Sequence, residues 1–144
     1  MQSERIFFAH PKGWDDERIN DFANAIHVSI ENETTHDVLV VPGRDDFNQN
    51  IASEGNYNGW CRSIIRRTDQ RGDRFYGIIV VPKTVEGIGK ATAAIITDAL
   101  EQRVPVVEAD VVDGEMCIAA VTGIETVDDE NYISGWKLTT QVVQ

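Results

Sequence analysis

Four short runs of nearly unbroken apolar residues, each bounded by a proline, restrict what this chain can fold into more than any other feature. Residues 6–9 (IFFA) stop at His10-Pro11, residues 37–41 (DVLVV) stop at Pro42-Gly43, residues 75–81 (FYGIIVV) stop at Pro82, and residues 105–108 (PVVE) open on Pro105. Strands with one wet face alternate polar and apolar residues, whereas continuous runs suit strands buried on both faces. Proline gives a strand its natural end, because it removes a donor from the ladder.

Helical patterns separate the runs. Ile19, Phe22, Ala23 and Ile26 fall at i, i+3, i+4 and i+7 behind Asp15, Asp16 and Glu17, acids that suit a helix N-terminus, and they predict a helix over about residues 15–31. Trp60, Ile64 and Ile65 give a second helix one apolar side. Ala91, Ala94, Ile95, Ala99 and Leu100 form the face of a third, opened by Gly87 and Gly89 and closed before Pro105. The resulting βαβαβαβ order predicts a parallel sheet with helices on both faces. The last third is different. Asp113-Gly114 offers a hairpin turn, and residues 117–126 and 136–143 carry strand-type residues with no helix between them, so an antiparallel extension on one sheet edge is expected. The fold class is therefore α/β, a doubly wound parallel sheet with an antiparallel C-terminal extension, in one domain over residues 1–144.

Charge narrows the ligands. With 24 acidic against 13 basic side chains, the net charge is −11, which disfavours bulk binding to nucleic acid polymers or anionic membranes. An anion needs a local cluster. The basic run Arg62, Arg66, Arg67, Arg71 and Arg74 reads either as a solvated face or as such a cluster. Cys61 and Cys117 have no His or Cys partner at metal-ligand spacing, and both read as buried thiols in a reducing compartment; no metal and no cofactor are expected. No apolar stretch approaches the roughly 18 residues of a membrane span, so the expected location is the cytoplasm. His27 and His36 read as surface positions.

In open parallel sheets ligands bind beyond the carboxyl ends of the strands, where loops and helix N-termini converge. Three segments qualify. Residues 10–15 carry His10, which closes the crevice or satisfies a turn, and Trp14, which stacks on a base or anchors the core. Residues 43–48 carry Arg44, suited to a carboxylate or phosphate, with Asp45 and Asp46, which accept ribose hydroxyls, act as a base, or cap the next element. The polar stretch 44–59 around them is long for an idle loop. Residues 83–92 carry Glu86, Gly87, Gly89, Lys90 and Thr92; the glycines allow close backbone approach and Lys90 supplies charge, but the segment fits neither the P-loop nor the dinucleotide fingerprint.

The strand RIFFAHP, the loop after the second strand, and FYGIIVVP followed by GIGKATAAIITDALEQRVPVV together resemble the nucleoside 2-deoxyribosyltransferase-like superfamily over roughly the first 110 residues. The resemblance implies a flavodoxin-like fold, a homo-oligomer, and a nucleoside- or nucleotide-type ligand whose N-glycosidic bond active members exchange or hydrolyse. Small members, phage-encoded ones among them, are similar in size. Active members carry Asp-Ser-Gly-Thr-x-x-Glu after the third strand, with the glutamate as nucleophile. Aligning Thr92 with that threonine puts Ile95 at the nucleophile, as it does for the related phosphoribohydrolase loop. Isoleucine has no lone pair, so a glycosyl-enzyme cannot form there.

The leading expectation is thus a binding or sequestering protein for a nucleoside- or nucleotide-type molecule, held by His10, Trp14, Arg44, Gly87, Gly89, Lys90 and Thr92. A second is a diverged glycosidic-bond hydrolase or transferase using Asp45, Asp46 or Glu86 to activate water. A third is a non-enzymatic assembly protein that pairs through its C-terminal edge strands.

Overall fold

The computed structural model describes residues 4–11, 13–31, 38–43, 64–66, 68, 71–84, 88–126 and 136–142. These form strand β1 (Glu4–Phe8), helix α1 (Asp16–Glu31), β2 (Val38–Pro42), β3 (Ile78–Pro82), helix α2 (Lys90–Glu101), β4 (Val106–Val112), β5 (Glu115–Thr126) and β6 (Trp136–Val142). The expected helix around Trp60 and the polar stretches 44–59 and 128–132 lie outside the described residues, apart from Ile64 and Ile65, which are buried.

One six-stranded sheet runs in the order β2-β1-β3-β4-β5-β6. β1 pairs in parallel with β2 and β3, and β3 in parallel with β4. β5 and β6 then add as antiparallel strands, with an irregularity between Val121 and Gly123. Both faces are covered. Ile6 and Phe8 pack with Val80 and Ala109 beneath Ile19, Ala23 and Ile26 of α1. Phe7 and Ala9 face the other way and join Ile79, Val81 and Val106 beneath Ala93, Ile96 and Ala99 of α2. The strict alternation of side chains along a strand makes this division unavoidable once the run is apolar throughout.

Local chemistry sets the ends. Asp15 caps α1, its Oδ1 accepting the Arg18 amide at 2.8 Å. β3 starts three residues later than its apolar run, because Phe75 lies under the Arg5 guanidinium, 4.2 Å from the ring centroid, and Tyr76 packs edge-on to Phe7. β4 extends four residues past Glu108, since the hairpin to β5 supplies a partner for each added residue. Asp113 (φ 52°) and Gly114 (φ 80°) both adopt the left-handed conformation that a tight two-residue hairpin requires. Cys117, expected to be buried, is exposed: it pairs with Asp110 near this hairpin, past the last core residues. His27 is half-buried on α1, and Arg66, Arg71 and Arg74 are exposed.

α2 ends without a glycine. The Val104 amide bonds to Ala99 O (2.8 Å) and the Arg103 amide to Leu100 O (3.2 Å), a Schellman closure that forces Arg103 to φ 61°. A side chain pays a penalty in that conformation which glycine escapes. Arg103→Gly is therefore expected to raise stability by about 0.5–1 kcal/mol after the entropy of the extra glycine is subtracted, read as a higher urea midpoint with an unchanged slope.

Candidate functional site

Because β1, β2, β3 and β4 all run the same way, the segments after β1, β2 and β3 leave from one edge of the sheet. The crossover from β3 to β4 returns through α2, so the N-terminus of α2 lies over that same edge. The sheet order places β2 on one side of β1 and β3 on the other, which creates a switch point between β1 and β3.

After β1, the Ala9 amide bonds to Val80 O (2.9 Å), joining the two strands beside that point. His10 is half-buried, with Nδ1 3.0 Å from Pro11 O and its ring edge-on to Phe8. Pro11 O also accepts the Trp14 amide at 3.3 Å, so His10 helps to fix the turn into α1. Trp14 is buried against Phe8 and Phe22, and the Arg18 guanidinium lies 3.9 Å from the centroid of its ring. That arrangement anchors the core.

After β2, a Cβ built on Gly43 would come within 3.1 Å of the Phe7 ring and 3.3 Å of Phe8 O, so a side chain there would press on β1. Arg44, Asp45 and Asp46 lie outside the described residues. So do Glu86 and Gly87. After β3, the Lys83 amide bonds to Ala109 O (2.8 Å), and Thr84 is half-buried. Ile88 is buried, and exposed Gly89 is the N-cap of α2, with no side-chain cap and no acidic residue in the first turn. Lys90 and Thr92 stand in that first turn, whose leading amides have no partner within the helix. Ile95, one turn on, is only 2 % exposed and belongs to the core. The structure thus brings His10, Gly89, Lys90 and Thr92 to one sheet edge.

The same edge holds a carboxylate that sequence reasoning passed over as a strand end. Glu108 lies on β4 opposite Val81 of β3 and Ala119 of β5, on the α2 face of the sheet. Desolvation by burial pushes its carboxyl above the ordinary value; the Lys83 charge opposes this, and Asp110 adds to it. A half-buried acid with its proton held more tightly, next to a lysine, can donate to a leaving group or accept from water. The signal was present in the sequence: Glu108 and Asp110 interrupt the otherwise apolar VVEADVV. Among the described residues, no three His, Cys, Asp or Glu side chains converge as metal ligands, and no helix is long and apolar enough to cross a membrane.

Protein-family models, curated proteins and solved structures provide no match to this chain.

The raised value of Glu108 has a pH consequence. Between the unfolded and folded values the native state binds more protons than the unfolded one, so this group makes stability fall as pH rises through that window. Glu108→Gln, which mimics the protonated form, is expected to be more stable than the wild type near neutral pH. Its advantage should vanish below the ordinary carboxylate range, as measured by urea denaturation across pH. Lys83→Met should push the Glu108 titration higher still, read from the side-chain carboxyl resonance.

Proposed function

We propose that this protein binds a nucleoside- or nucleotide-type small molecule in the crevice beyond the carboxyl ends of β1 and β3. The observation that carries this reading is the uncapped, acid-free start of α2 at the edge where the sheet order switches. The amides that open the helix and its dipole favour a phosphate there, and Lys83 adds local positive charge to a chain that is otherwise strongly acidic. The parallel portion, in the order β2-β1-β3-β4, agrees with a flavodoxin-like arrangement, for which this is the usual ligand position. The similarity to the nucleoside 2-deoxyribosyltransferase-like superfamily supplies the ligand class. With buried Ile95 in place of the nucleophile, binding or sequestration follows rather than double displacement.

A second reading rests on Glu108. Hydrolysis of an N-glycosidic bond needs an acid for the departing base and a base for water, and a carboxyl with a raised pKa next to a lysine suits the first role. It predicts free base from a nucleoside 5′-phosphate, lost in Glu108→Gln; if no base is released by the wild type, only binding remains.

The binding reading is tested by thermal shift against nucleosides, nucleoside phosphates and sugar nucleotides. A ligand at about ten times its Kd adds about 1.4 kcal/mol to the folded state, a clear rise in Tm. Among the described residues, no heavy atom lies within 4 Å of a Cβ built on Gly89, so Gly89→Asp is accommodated by them and places a carboxylate on the first-turn amides. That variant is expected to gain from a few tenths to about 1 kcal/mol in stability while losing its response to phosphate-bearing ligands. Equal responses to nucleotides in the wild type and the variant would exclude the α2 start as the phosphate site.

A further inference from the structure

A separate surface lies on the α1 side of the sheet. An open groove of about 380 Å3 runs between the flank of α1 and the hairpin end of β4. Its floor is apolar, made by Phe22 and Ala25 of α1 and by Val111, which is 39 % exposed on the strand. Its rim is acidic: Glu17 and Asp21, one turn apart on α1, stand above the floor together with Asp15. The one cation among the described residues of the lining, Arg18, is held over the Trp14 ring, which leaves the carboxylates to set the sign of the groove.

We propose that this groove docks a short segment of a partner protein in which lysine or arginine side chains flank one or two large apolar ones. Each half of that description comes from the surface. Phe22, Ala25 and Val111 offer a dry seat to an aliphatic or aromatic side chain, and the volume, near the small end of the roughly 300–1,000 Å3 that ligand sites occupy, suits only one or two. Asp21 and Glu17 then meet cations on either side of the seated group, at a rim where charge complementarity sets both encounter rate and partner choice. An anionic ligand is repelled by the same rim. A second copy is a poor occupant, because each chain carries a net charge of −11 and the two would meet with like fields. The basic segment is drawn by the whole molecule as well as by the rim.

The test is a titration of 15N-labelled protein with the synthetic peptide acetyl-Lys-Leu-Lys-Phe-Lys-amide, next to two controls: the same peptide with serine for leucine and phenylalanine, and the same peptide with glutamate for lysine. The proposal predicts saturable shifts of the Phe22, Ala25 and Val111 amides with the first peptide alone. Affinity should fall about tenfold or more between roughly 0.05 and 0.5 M salt, and by about fivefold or more in Asp21→Lys or Glu17→Lys. Ala25→Trp, which fills the seat without altering charge, should abolish the shifts, and the rest of each spectrum reports that the variant is folded. Three results would overturn the proposal: no response of these amides to the first peptide, equal binding of either control peptide, or the same shifts on raising protein concentration alone, which would assign the groove to a second copy.

Discussion

From Ile6 onward, β1 and the residue after it have no polar side to give to water. Ile6, Phe7, Phe8 and Ala9 are 0–5 % exposed, and because consecutive side chains point to opposite faces, each sheet face must be closed by a helix. α1 closes one face through Ile19, Ala23 and Ile26, and α2 the other through Ala93, Ile96 and Ala99. Parallel pairing of β1 with both β2 and β3 follows from the crossovers this demands, and the crossovers in turn bring the connecting segments to a single edge. The same crowding reaches the start of the loop after β2, where a side chain in place of Gly43 would press on the Phe7 ring. The location of the proposed crevice is thus a by-product of how the core is filled.

The two helix starts at that edge differ chemically. α1 begins with a side-chain cap from Asp15 and has Asp16 and Glu17 in its first turn, so its dipole is already answered by carboxylates. α2 begins at a bare glycine with no acid in its first turn, in a chain where acids outnumber bases by 24 to 13. An anion and a cation would accordingly be drawn to different places: one toward Gly89 and Lys83, the other toward the rim formed by Glu17 and Asp21. Glu108 lies on the α2 face of the sheet, where burial, and less so Asp110, raise its carboxyl above the ordinary value and Lys83 works against them.

Much of the architecture was legible because periodicity and punctuation agreed. The unbroken run 6–9, the stripe Ile19, Phe22, Ala23 and Ile26, and Asp113-Gly114 each specify one local structure with no competing reading. Where the sequence misled, tertiary contacts had overridden local pattern. Phe75 and Tyr76 have strand propensity yet are engaged by Arg5 and Phe7 before the ladder begins. Arg103 stands where a glycine would have announced the helix end. Cys117 has the composition of a core residue but pairs beyond the reach of the core. At the candidate site, His10, Gly89, Lys90 and Thr92 were legible as strand-end and helix-start positions. Glu108 was not, because its meaning depends on burial and on Lys83, 25 positions earlier in the chain, rather than on its neighbours.

The proposed binding depends most on a ligand meeting the chain at the start of α2 beside the ends of β1 and β3. Amide resonances recorded while a nucleoside 5′-monophosphate is added would test this most directly. Lys83, Thr84, Gly89, Lys90 and Thr92 are expected to move together and saturate, with His10 following, while α1 beyond its first turn stays still. Shifts confined to α1 or to β5 and β6, or none at all at millimolar ligand, would contradict the proposed binding.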